Sequence, residues 1–492
     1  MTSYMLTTAQ ISAVIIGLGF VLITHVVSQK ESTHPPKVPS LLPWIGSAIR
    51  YVFAPTRFLA LCCTQFGPVF KVLVGGRNII VVGTAESIRS ALFTDHRVLT
   101  AYVEHYNHFH VVCSDTSLYP LIHDTITYKL FPVFDRRLSK RAVDDLTGHC
   151  AETIFSRLKA FSEHEQVSLR RSLNEPLYVA VTAIFLGSKF SPDTYDDWVT
   201  FLDSVPKRLC RLPFWSVPSS RARGRLLQHV ITCLQSANPD NDDDKLAGDF
   251  SKVLRENNIS PEVASFVVLT VMLFLHTNML DVVFWLFSWL MADPLAFSSL
   301  RDEIDRAVRE EFGNIQTFIA EASPQRLDSP AFALLNSAIL ETTRLTTLQT
   351  GLRLAECDLE LKDEEGTIPV RKGEYVLLFP RPAQRNEASY PDGHRFVIDR
   401  FVQDQYQGEL TAAAGKPYFA FGAGRHLCKG RYLAMFGMKV LTILYLSLFD
   451  VTPAPLERRS SKWEPPQSSA HSIGTIRPTK DVFVKLRPRA TL

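Results

Sequence analysis

One cysteine stands in a glycine-rich segment whose spacing suits a metal site. Residues 418–431 read YFAFGAGRHLCKGR, which contains the pattern F-G-x-G-x-H-x-C-x-G. Glycines allow a tight turn, and backbone N–H groups aimed at a thiolate tune a metal bound to it. A long helical pattern follows, so Cys428 precedes a helix N-terminus, where a thiolate is stabilised. The segment therefore predicts that Cys428 is a thiolate ligand of a metal.

A carboxylate and a guanidinium precede this segment, and the carboxylate of Glu341 lies 87 residues before Cys428. Glu341 precedes Arg344 by three positions, a spacing that puts both side chains on one face of a helix and allows an ion pair. This E-x-x-R pattern is common in proteins and identifies nothing by itself. The pattern becomes informative only through its position ahead of the cysteine segment.

The two motifs in this order resemble the signatures of the cytochrome P450 family, whose axial heme ligand is the cysteine of such a segment. The resemblance covers nearly the whole chain, since an apolar N-terminus, a proline-rich spacer, an early hairpin and a long central helix follow in the family's order. It implies heme b as the cofactor and Cys428 as the iron ligand. It also implies that Phe421, Gly424, His426 and Gly430 bind the heme.

The same resemblance gives a structural role to three charged residues. Arg400, in YPDGHRFVIDRF, matches the third member of the family's buried charge network. Glu341, Arg344 and Arg400 would then hold together the core behind the heme.

The heme propionates would be bound by cationic or hydrogen-bond-donating side chains, which suit carboxylates. Arg353 and His426 resemble propionate ligands of the family. The usual Trp-x-x-x-Arg contact is altered here, because Thr125 and Lys129 occupy that spacing. Lys129 remains a candidate for binding a propionate.

The central helix departs from the family's pattern at the acid–alcohol pair, which in the family relays protons to the oxygen bound at the iron. Most members carry A-G-x-[DE]-T-T, but residues 274–279 read FLHTNM, with Thr277 at the acid position and Asn278 at the threonine position. Asparagine donates and accepts hydrogen bonds but does not titrate. Thr277 and Asn278 are therefore the catalytic candidates, and we expect a packing role for His276. The substitution resembles the branch that contains steroid 7α- and 12α-hydroxylases and prostacyclin synthase.

The resemblance implies a monooxygenase that inserts one oxygen atom from O2 into an apolar terpenoid, steroid or polyketide-like substrate, in specialised metabolite biosynthesis. Electrons would come from NADPH through cytochrome P450 reductase, with cytochrome b5 as a further candidate donor. Lys429, Arg431, Lys439 and the basic cluster at 136–141 would form the docking face. The altered central helix leaves open a heme-thiolate isomerase, dehydratase or ring-rearranging enzyme that needs no external electrons. A non-catalytic heme-binding protein is a third alternative.

The composition fits such an enzyme and excludes other classes. The 492 residues are 46% apolar and 21% charged, which argues against a disordered chain or a small disulfide scaffold. Lys and Arg number 53 against 50 Asp and Glu, a balance that is not typical of a nucleic-acid-binding protein. The eight cysteines include no C-x-x-C pair, so zinc-ribbon and thioredoxin-type sites lack their spacing.

The N-terminal segment predicts a membrane anchor. Residues 6–27 are almost uncharged and match the ~20 residues that span a bilayer as a helix. Lys30 and Lys37 follow this segment and no basic residue precedes it, so the positive-inside rule places the remaining chain in the cytosol. A cleaved signal peptide is the alternative. We expect a single-pass protein of the endoplasmic reticulum membrane.

Together these features predict a mainly α fold with small β-sheets, the cytochrome P450 fold with an N-terminal transmembrane helix. The expected organisation is a membrane anchor at 1–30, a proline-rich spacer at 31–46 and one heme domain at 47–492, acting as a monomer.

Two internal segments carry clear structural expectations. The residues around 69–82 flank a Gly-Gly-Arg turn and predict a β-hairpin. The apolar run 264–292 predicts a buried core helix, because Asp281 near its middle would cost ~2.5–3.5 kcal/mol inside a bilayer.

Overall fold

Helices predominate in the structure, a computed structural model, and its strands form small sheets, so the expected mainly α fold is confirmed. The residues that the structure describes are 34–40, 42–161, 166–187, 190, 192–209, 217–237, 245–348, 350–402, 416–454, 463–472 and 474–489. The expected membrane anchor at 6–27 lies outside them.

The α-helices and β-strands follow one another along the chain, with short 3₁₀ and π turns between some of them. The helices are α1 Ala48–Phe53, α2 Pro55–Phe66, α3 Ala85–Phe93, α4 Tyr102–Val112, α5 Tyr119–Asp124, α6 Phe131–Arg137, α7 Cys150–Lys159, α8 Leu169–Leu186, α9 Tyr195–Leu202, α10 Val205–Leu209, α11 Val217–Ser236, α12 Lys245–Glu256, α13 Pro261–Ala292, α14 Pro294–Phe312, α15 Ile315–Glu321, α16 Pro324–Leu327, α17 Ala333–Thr346 and α18 Arg431–Leu448. The strands are β1 Phe70–Val74, β2 Arg77–Val82, β3 Leu99–Thr100, β4 Val167–Ser168, β5 Gly351–Ala355, β6 Leu359–Asp363, β7 Gly366–Val370, β8 Tyr375–Leu378, β9 Phe449–Pro453 and β10 Phe483–Pro488.

The chain divides into two units. The first comprises the described residues of Met1–Val103 together with Leu348–Ala383. It contains a five-stranded sheet in the order β1-β2-β8-β5-β3 and the separate β6–β7 hairpin. Strands β1 and β2 pair antiparallel, which confirms the expected hairpin, while β8 runs parallel to β2.

The proline-rich spacer lies along the edge of this sheet. The Val38 N–H donates to the Lys71 carbonyl at 2.8 Å, and the Lys71 N–H donates to the Pro36 carbonyl at 2.9 Å. Proline fixes φ and lacks an N–H, so such a segment extends and contributes few donors of its own. Residues 36–38 of the spacer are therefore an added edge segment beside β1.

The second unit comprises Glu104–Thr347 and Gln384–Leu492, and it is built around the helix α13. Ser260 caps the start of α13 by accepting from the Val263 N–H, with a proline at the first helical position. At the other end, Asp293 follows the last residue of α13 and caps α14 by accepting from the Ala296 N–H. These caps fix the length of a 32-residue helix.

Two of the described helices, α13 and α18, are long and apolar enough to cross a membrane. Their most apolar windows are 72% and 83% buried inside the protein, which is typical of core helices. The expectation of a buried core helix at 264–292 is confirmed. Helices α13, α17 and α18 pack against one another, and a small sheet in the order β4-β10-β9 completes the unit.

Candidate active site around Cys428

The cysteine loop, residues 418–430, is closed by its own glycines. Gly422 and Gly424 have φ values of +71° and +60°, a conformation that residues with a side chain rarely adopt. A Cβ on Gly422 would lie 3.1 Å from the His426 carbonyl oxygen, so the turn has little spare room. The loop ends immediately before α18 begins. It therefore holds Cys428 beside the N-terminus of a long buried helix.

Cys428 is held by its backbone and keeps an exposed side chain. Its N–H donates to the Phe421 carbonyl at 2.9 Å. Although this residue is open on one side, the dense protein around the rest of it raises the pKa of the thiol, while a backbone hydrogen bond from Gly430 and the charges of Arg431 and Lys429 act to lower it. A metal cation overrides such a shift, since a coordinating thiol is deprotonated.

The residues around Cys428 fit a metal that brings most of its own ligands. Within the described part of the chain, no three His, Cys, Asp or Glu side chains come together as a metal-binding group. A structural zinc site needs a full set of such side chains, whereas heme iron takes its remaining ligands from the porphyrin. A single exposed cysteine in a glycine-closed loop therefore suits heme iron.

One face of α13 is open, although the rest of this helix is buried. Phe274 is 41% exposed, and Asn278, four positions later on the same face, is exposed as well. Next to Phe274 in sequence, Leu275 places its Cδ1 atom 3.8 Å from where a Cβ on Gly430 would lie. The open face of α13, defined by Phe274 and Asn278, therefore lies near the cysteine loop.

The other catalytic candidate, Thr277, has different surroundings. Its hydroxyl donates to the Leu273 carbonyl at 2.7 Å, and it lines a small cavity together with Asp281. Asp281 is buried, with Arg170 Nη2 at 3.7 Å and Arg477 Nε at 3.5 Å. Burial raises the pKa of Asp281, and the two guanidinium groups act to lower it. Because successive helical residues point about 100° apart, the two catalytic candidates face different spaces.

His276 is a packing residue, in keeping with the sequence expectation. Its ring is fully buried, with Nε2 at 3.0 Å from the Thr182 hydroxyl and its centroid 4.8 Å from that of the Tyr178 ring. Burial lowers the pKa of His276 to about 3, so this side chain is neutral at physiological pH.

Glu341, Arg344 and Arg400 meet in one buried charge cluster. Arg344 Nε and Nη2 donate to the two carboxylate oxygens of Glu341 at 2.7 and 2.8 Å, and neither side chain is exposed. Arg400 Nε donates to Glu341 Oε1 at 3.0 Å. Arg344 also donates to the Gly393 carbonyl at 2.8 Å and lies over the Tyr390 ring, 4.7 Å from its centroid. This cluster attaches α17 to the segment that follows Gln384.

Gln384 connects this cluster to the cysteine loop, a role that the sequence analysis missed. Its side-chain N–H donates to the Arg344 carbonyl at 2.9 Å, and its Oε1 atom accepts from the Phe419 N–H at 2.5 Å. A second link joins the Thr343 hydroxyl to the Tyr418 hydroxyl at 2.5 Å. A single glutamine between two motifs carries no signal in the sequence, so only the fold reveals it.

The candidates for binding heme propionates are divided between the two units. His426 lies in the cysteine loop and Lys129 lies in a π-helical turn that also contains Thr125; both candidates are partly exposed. Both belong to the unit that contains Cys428. Arg353 lies in β5 of the first unit and is buried.

The prediction that Lys439 belongs to an exposed basic docking face is wrong. This residue is buried in α18, where its ammonium contacts Asp328 Oδ1 at 2.7 Å and the Leu327 carbonyl at 3.1 Å. The sequence shows its charge but not the direction in which α18 turns it. Lys429 remains partly exposed and pairs with Asp135 at 2.6 Å.

Comparisons with known proteins give one family. A family model described as "Cytochrome P450" matches residues 240–480. Cytochrome P450 7B1 of Mus musculus is 23% identical over 462 residues, covering 86% of this chain and 85% of the relative. The 24-hydroxycholesterol 7-alpha-hydroxylase of Homo sapiens is 22% identical, covering 97% of this chain and 98% of the relative. The 25-hydroxycholesterol 7-alpha-hydroxylase of Rattus norvegicus is 33% identical over 180 residues, 35% of this chain and 43% of the relative.

Solved structures share the fold. Retinoic acid bound cyanobacterial CYP120A1 superposes with a TM-score of 0.68 at 19% identity, covering 92% of this chain and 99% of that one. The cytochrome P450DA heme domain gives a TM-score of 0.69 at 16% identity, covering 92% of this chain and 98% of that one. The mainly α cytochrome P450 fold expected from the sequence is thus confirmed, while the expected N-terminal transmembrane helix lies outside the described residues.

Proposed function

Because the chain belongs to the cytochrome P450 family, we propose that it hydroxylates a polycyclic isoprenoid, either a steroid or a terpenoid. The chain is a cytochrome P450 monooxygenase of apolar substrates with heme as its cofactor. Relatives of matching length whose names describe hydroxylation of 24-hydroxycholesterol support the ring-system assignment. The polyketide-like substrates and the specialised metabolism that the sequence suggested have no support among these names.

We assign the iron ligand to Cys428, and this placement carries the proposal. The sulfur lies in a glycine-closed loop, has an exposed side and precedes the N-terminus of α18. Heme held by this thiolate would supply the cleavage of O2: one oxygen atom is inserted into a C–H bond, and the other leaves as water with two electrons from the donor and two protons. Phe421, Gly424 and Gly430 would hold the heme at this loop, with His426 among the propionate ligands.

Lys129 and Arg353 are assigned as the remaining propionate ligands. Each offers a cationic side chain, and a carboxylate is bound well by such donors. Lys129 would replace the arginine that other family members use at this position.

The open face of α13 would form one wall of the substrate chamber. The exposed Phe274 ring provides apolar surface, which suits an isoprenoid ring system. Asn278 provides the polar group of this face, and its amide can both donate and accept hydrogen bonds. We assign Asn278 to position a water molecule or a substrate hydroxyl during proton delivery.

Asn278→Ala should leave heme loading unchanged and lower the product formed per NADPH consumed by roughly tenfold, the effect of losing one well-placed hydrogen bond. Thr277→Val is the matched variant on the neighbouring position. Its effect should be small, because the Thr277 hydroxyl is bonded to its own helix at the Leu273 carbonyl. Product and NADPH are quantified together in the reconstituted system. A large effect of Thr277→Val with none of Asn278→Ala would transfer the role to Thr277, and heme loss in Asn278→Ala would make Asn278 structural.

The proposed electron donor is NADPH–cytochrome P450 reductase, with cytochrome b5 as a second candidate. Basic side chains on the unit that holds Cys428 would contribute to docking, among them the exposed Arg136 and Lys140 and the partly exposed Lys429. The apolar residues 6–27 would anchor the chain in the endoplasmic reticulum membrane as a single span, with the monomeric heme domain at 47–492 in the cytosol.

The proposed function is tested by co-expressing the chain with a reductase and supplying a panel of steroids and terpenoids. The expected result is a hydroxylated product that requires NADPH and carries one oxygen atom from isotopically labelled O2. The alternative, a heme-thiolate isomerase or dehydratase, is motivated by Asn278 at the position where other members carry threonine. A product formed without NADPH and reductase would contradict the monooxygenase assignment for this substrate and establish the alternative.

A further inference from the structure

The segment 474–477, close to the C-terminus, lies along the middle of α13. The Trp285 indole N–H donates to the Ile476 carbonyl at 2.8 Å, and Arg477 Nε lies 3.5 Å from Asp281 Oδ2. Trp285 and Asp281 are buried residues of α13. The segment is therefore attached to this helix at two points.

The same segment is also attached to the end of α17. The Ile476 N–H donates to the carbonyl of Thr346, the last residue of that helix, at 2.9 Å. Thr475 forms an antiparallel bridge with Thr347, the next residue along the chain. Two helices thus hold the segment from different sides, which fixes its position.

Gly474, the first residue of this segment, lies against the side chain of Asn278. A Cβ built on Gly474 would lie 2.7 Å from Asn278 Oδ1, 3.5 Å from Cγ and 3.6 Å from Nδ2, its three nearest heavy atoms. Non-bonded heavy atoms pack best at about 3.5–4.0 Å, so a Cβ and the carboxamide cannot both keep these places. Because residue 474 is glycine, the carboxamide and the backbone of the segment lie side by side.

Asn278 depends on such a neighbour for its direction. Its side chain is exposed, and none of the described residues is its hydrogen-bond partner. An exposed amide turns between staggered side-chain conformations unless packing restricts it. A group that orients water or a substrate hydroxyl works well only when its own direction is fixed. Gly474 supplies a fixed wall for the carboxamide, because two helices hold the segment to which it belongs.

We propose that Gly474 is a positioning residue for Asn278: the missing Cβ lets the segment 474–477 close against the carboxamide and hold it in the direction that proton delivery needs. This inference rests on the proposed function of Asn278 and adds a residue that acts through it. The plain alternative is that Gly474 serves only the turn of its own backbone.

A substitution at Gly474 carries two separate costs, and another glycine separates them. Gly474 has a φ of +73°, so alanine brings backbone strain in addition to its contact with the carboxamide. Gly313, which follows α14, has a φ of +79°, but a Cβ there would meet nothing within 4 Å. Gly313→Ala is therefore the matched control, since it shares the strain and lacks the contact.

The test is a double-variant cycle on the heme-loaded full-length chain. It compares the wild-type protein, Gly474→Ala, Asn278→Ala and the combined variant. The first measurement is the midpoint of thermal unfolding. Gly474→Ala should lower this midpoint more in the wild-type protein than in Asn278→Ala, because the shortened side chain makes room for the new Cβ. Gly313→Ala should lower it equally in both backgrounds.

The second measurement is the infrared C–O stretching band of the carbon monoxide adduct of the reduced heme, which responds to polar groups that face the bound molecule and needs no substrate. Gly474→Ala and Asn278→Ala should each shift this band from its wild-type position. The combined variant should show no shift beyond that of Asn278→Ala. Gly313→Ala should leave the band in place.

Equal losses of the midpoint from Gly474→Ala in the two backgrounds, or an unshifted band in Gly474→Ala, would overturn the proposal and leave Gly474 a residue of its turn alone. Should Gly474→Ala fail to fold, a folded combined variant would support the contact with Asn278. Failure of the combined variant as well would overturn it, because the carboxamide is then not what a Cβ meets.

The two proposals also fail separately. Hydroxylation of an isoprenoid, with no coupling between positions 474 and 278 in either measurement, would remove the role of Gly474 and leave the proposed function. Coupling in both measurements, in a protein that hydroxylates no isoprenoid, would keep the positioning role and remove the substrate class.

Discussion

Cys428→Ser should abolish the long-wavelength absorption band that a cysteine thiolate gives to the carbon monoxide adduct of reduced heme, and monooxygenase turnover with it. A serine hydroxyl does not supply the electron density that a thiolate places on the iron. The backbone of the loop should survive, because the N–H of residue 428 donates to the Phe421 carbonyl independently of the side chain. The carbon monoxide difference spectrum of the purified protein measures the loss.

Cys357→Ser is the control for this experiment. Cys357 is an exposed cysteine between β5 and β6, in the unit that does not contain Cys428. Its replacement should leave the spectrum and the turnover as in the wild-type protein. A thiolate band of normal height in Cys428→Ser, or its disappearance in Cys357→Ser, would refute the ligand assignment.

The parts of the site that could be predicted from sequence depend on short stretches of chain. The cysteine loop closes through positive φ values at Gly422 and Gly424, and glycine is the residue that adopts them readily. Glu341 and Arg344 pair because a helix brings positions three apart onto one face. The length and caps of α13 are likewise local, since Ser260 and Asp293 stand at its two ends.

The parts that could not be predicted depend on which distant elements meet. Gln384 connects α17 with the cysteine loop, but its two partners lie 40 and 35 positions away in the chain. Lys439 has the same charge as Lys429, and only the packing of α18 shows that it is buried. The contact between α4 and α11, where Arg223 donates to the Val112 carbonyl, depends in the same way on two elements that are 111 positions apart.

A continuous chain of hydrogen bonds connects the charge cluster to the cysteine loop. The Arg344 guanidinium holds Glu341 and the Gly393 carbonyl, while the Arg344 carbonyl accepts from Gln384. Gln384 in turn accepts from Phe419 at the start of the loop. The position of the sulfur therefore depends on a side chain in another helix. Heme loading should consequently be sensitive to a residue that the heme does not touch.

Arg344→Ala should destabilise the protein by about 3–5 kcal/mol and prevent heme incorporation, because it leaves the buried Glu341 carboxylate without its main partner. Arg400 and the Val397 N–H still reach Glu341 Oε1, at 3.0 and 3.1 Å, but neither replaces the two-pronged contact. The Gly393 carbonyl also loses its donor. Heme content per mole of protein and the midpoint of thermal unfolding measure the two effects. Arg344→Lys should give a heme content and an unfolding midpoint between those of the wild-type protein and Arg344→Ala, because lysine keeps the charge but not the planar fork of donors.

The matched control removes an arginine from an ion pair at the surface. Arg371 contacts Asp358 at 2.9 Å, with side chains 71% and 60% exposed, and a pair of this kind contributes about 0–1 kcal/mol. Arg371→Ala should therefore load heme normally and unfold close to the wild-type midpoint. Normal heme content in Arg344→Ala would show that heme binding at the cysteine loop does not depend on the charge cluster. Equal damage from both variants would show that the effect comes from general loss of charge, because the two substitutions remove the same group and differ only in its burial.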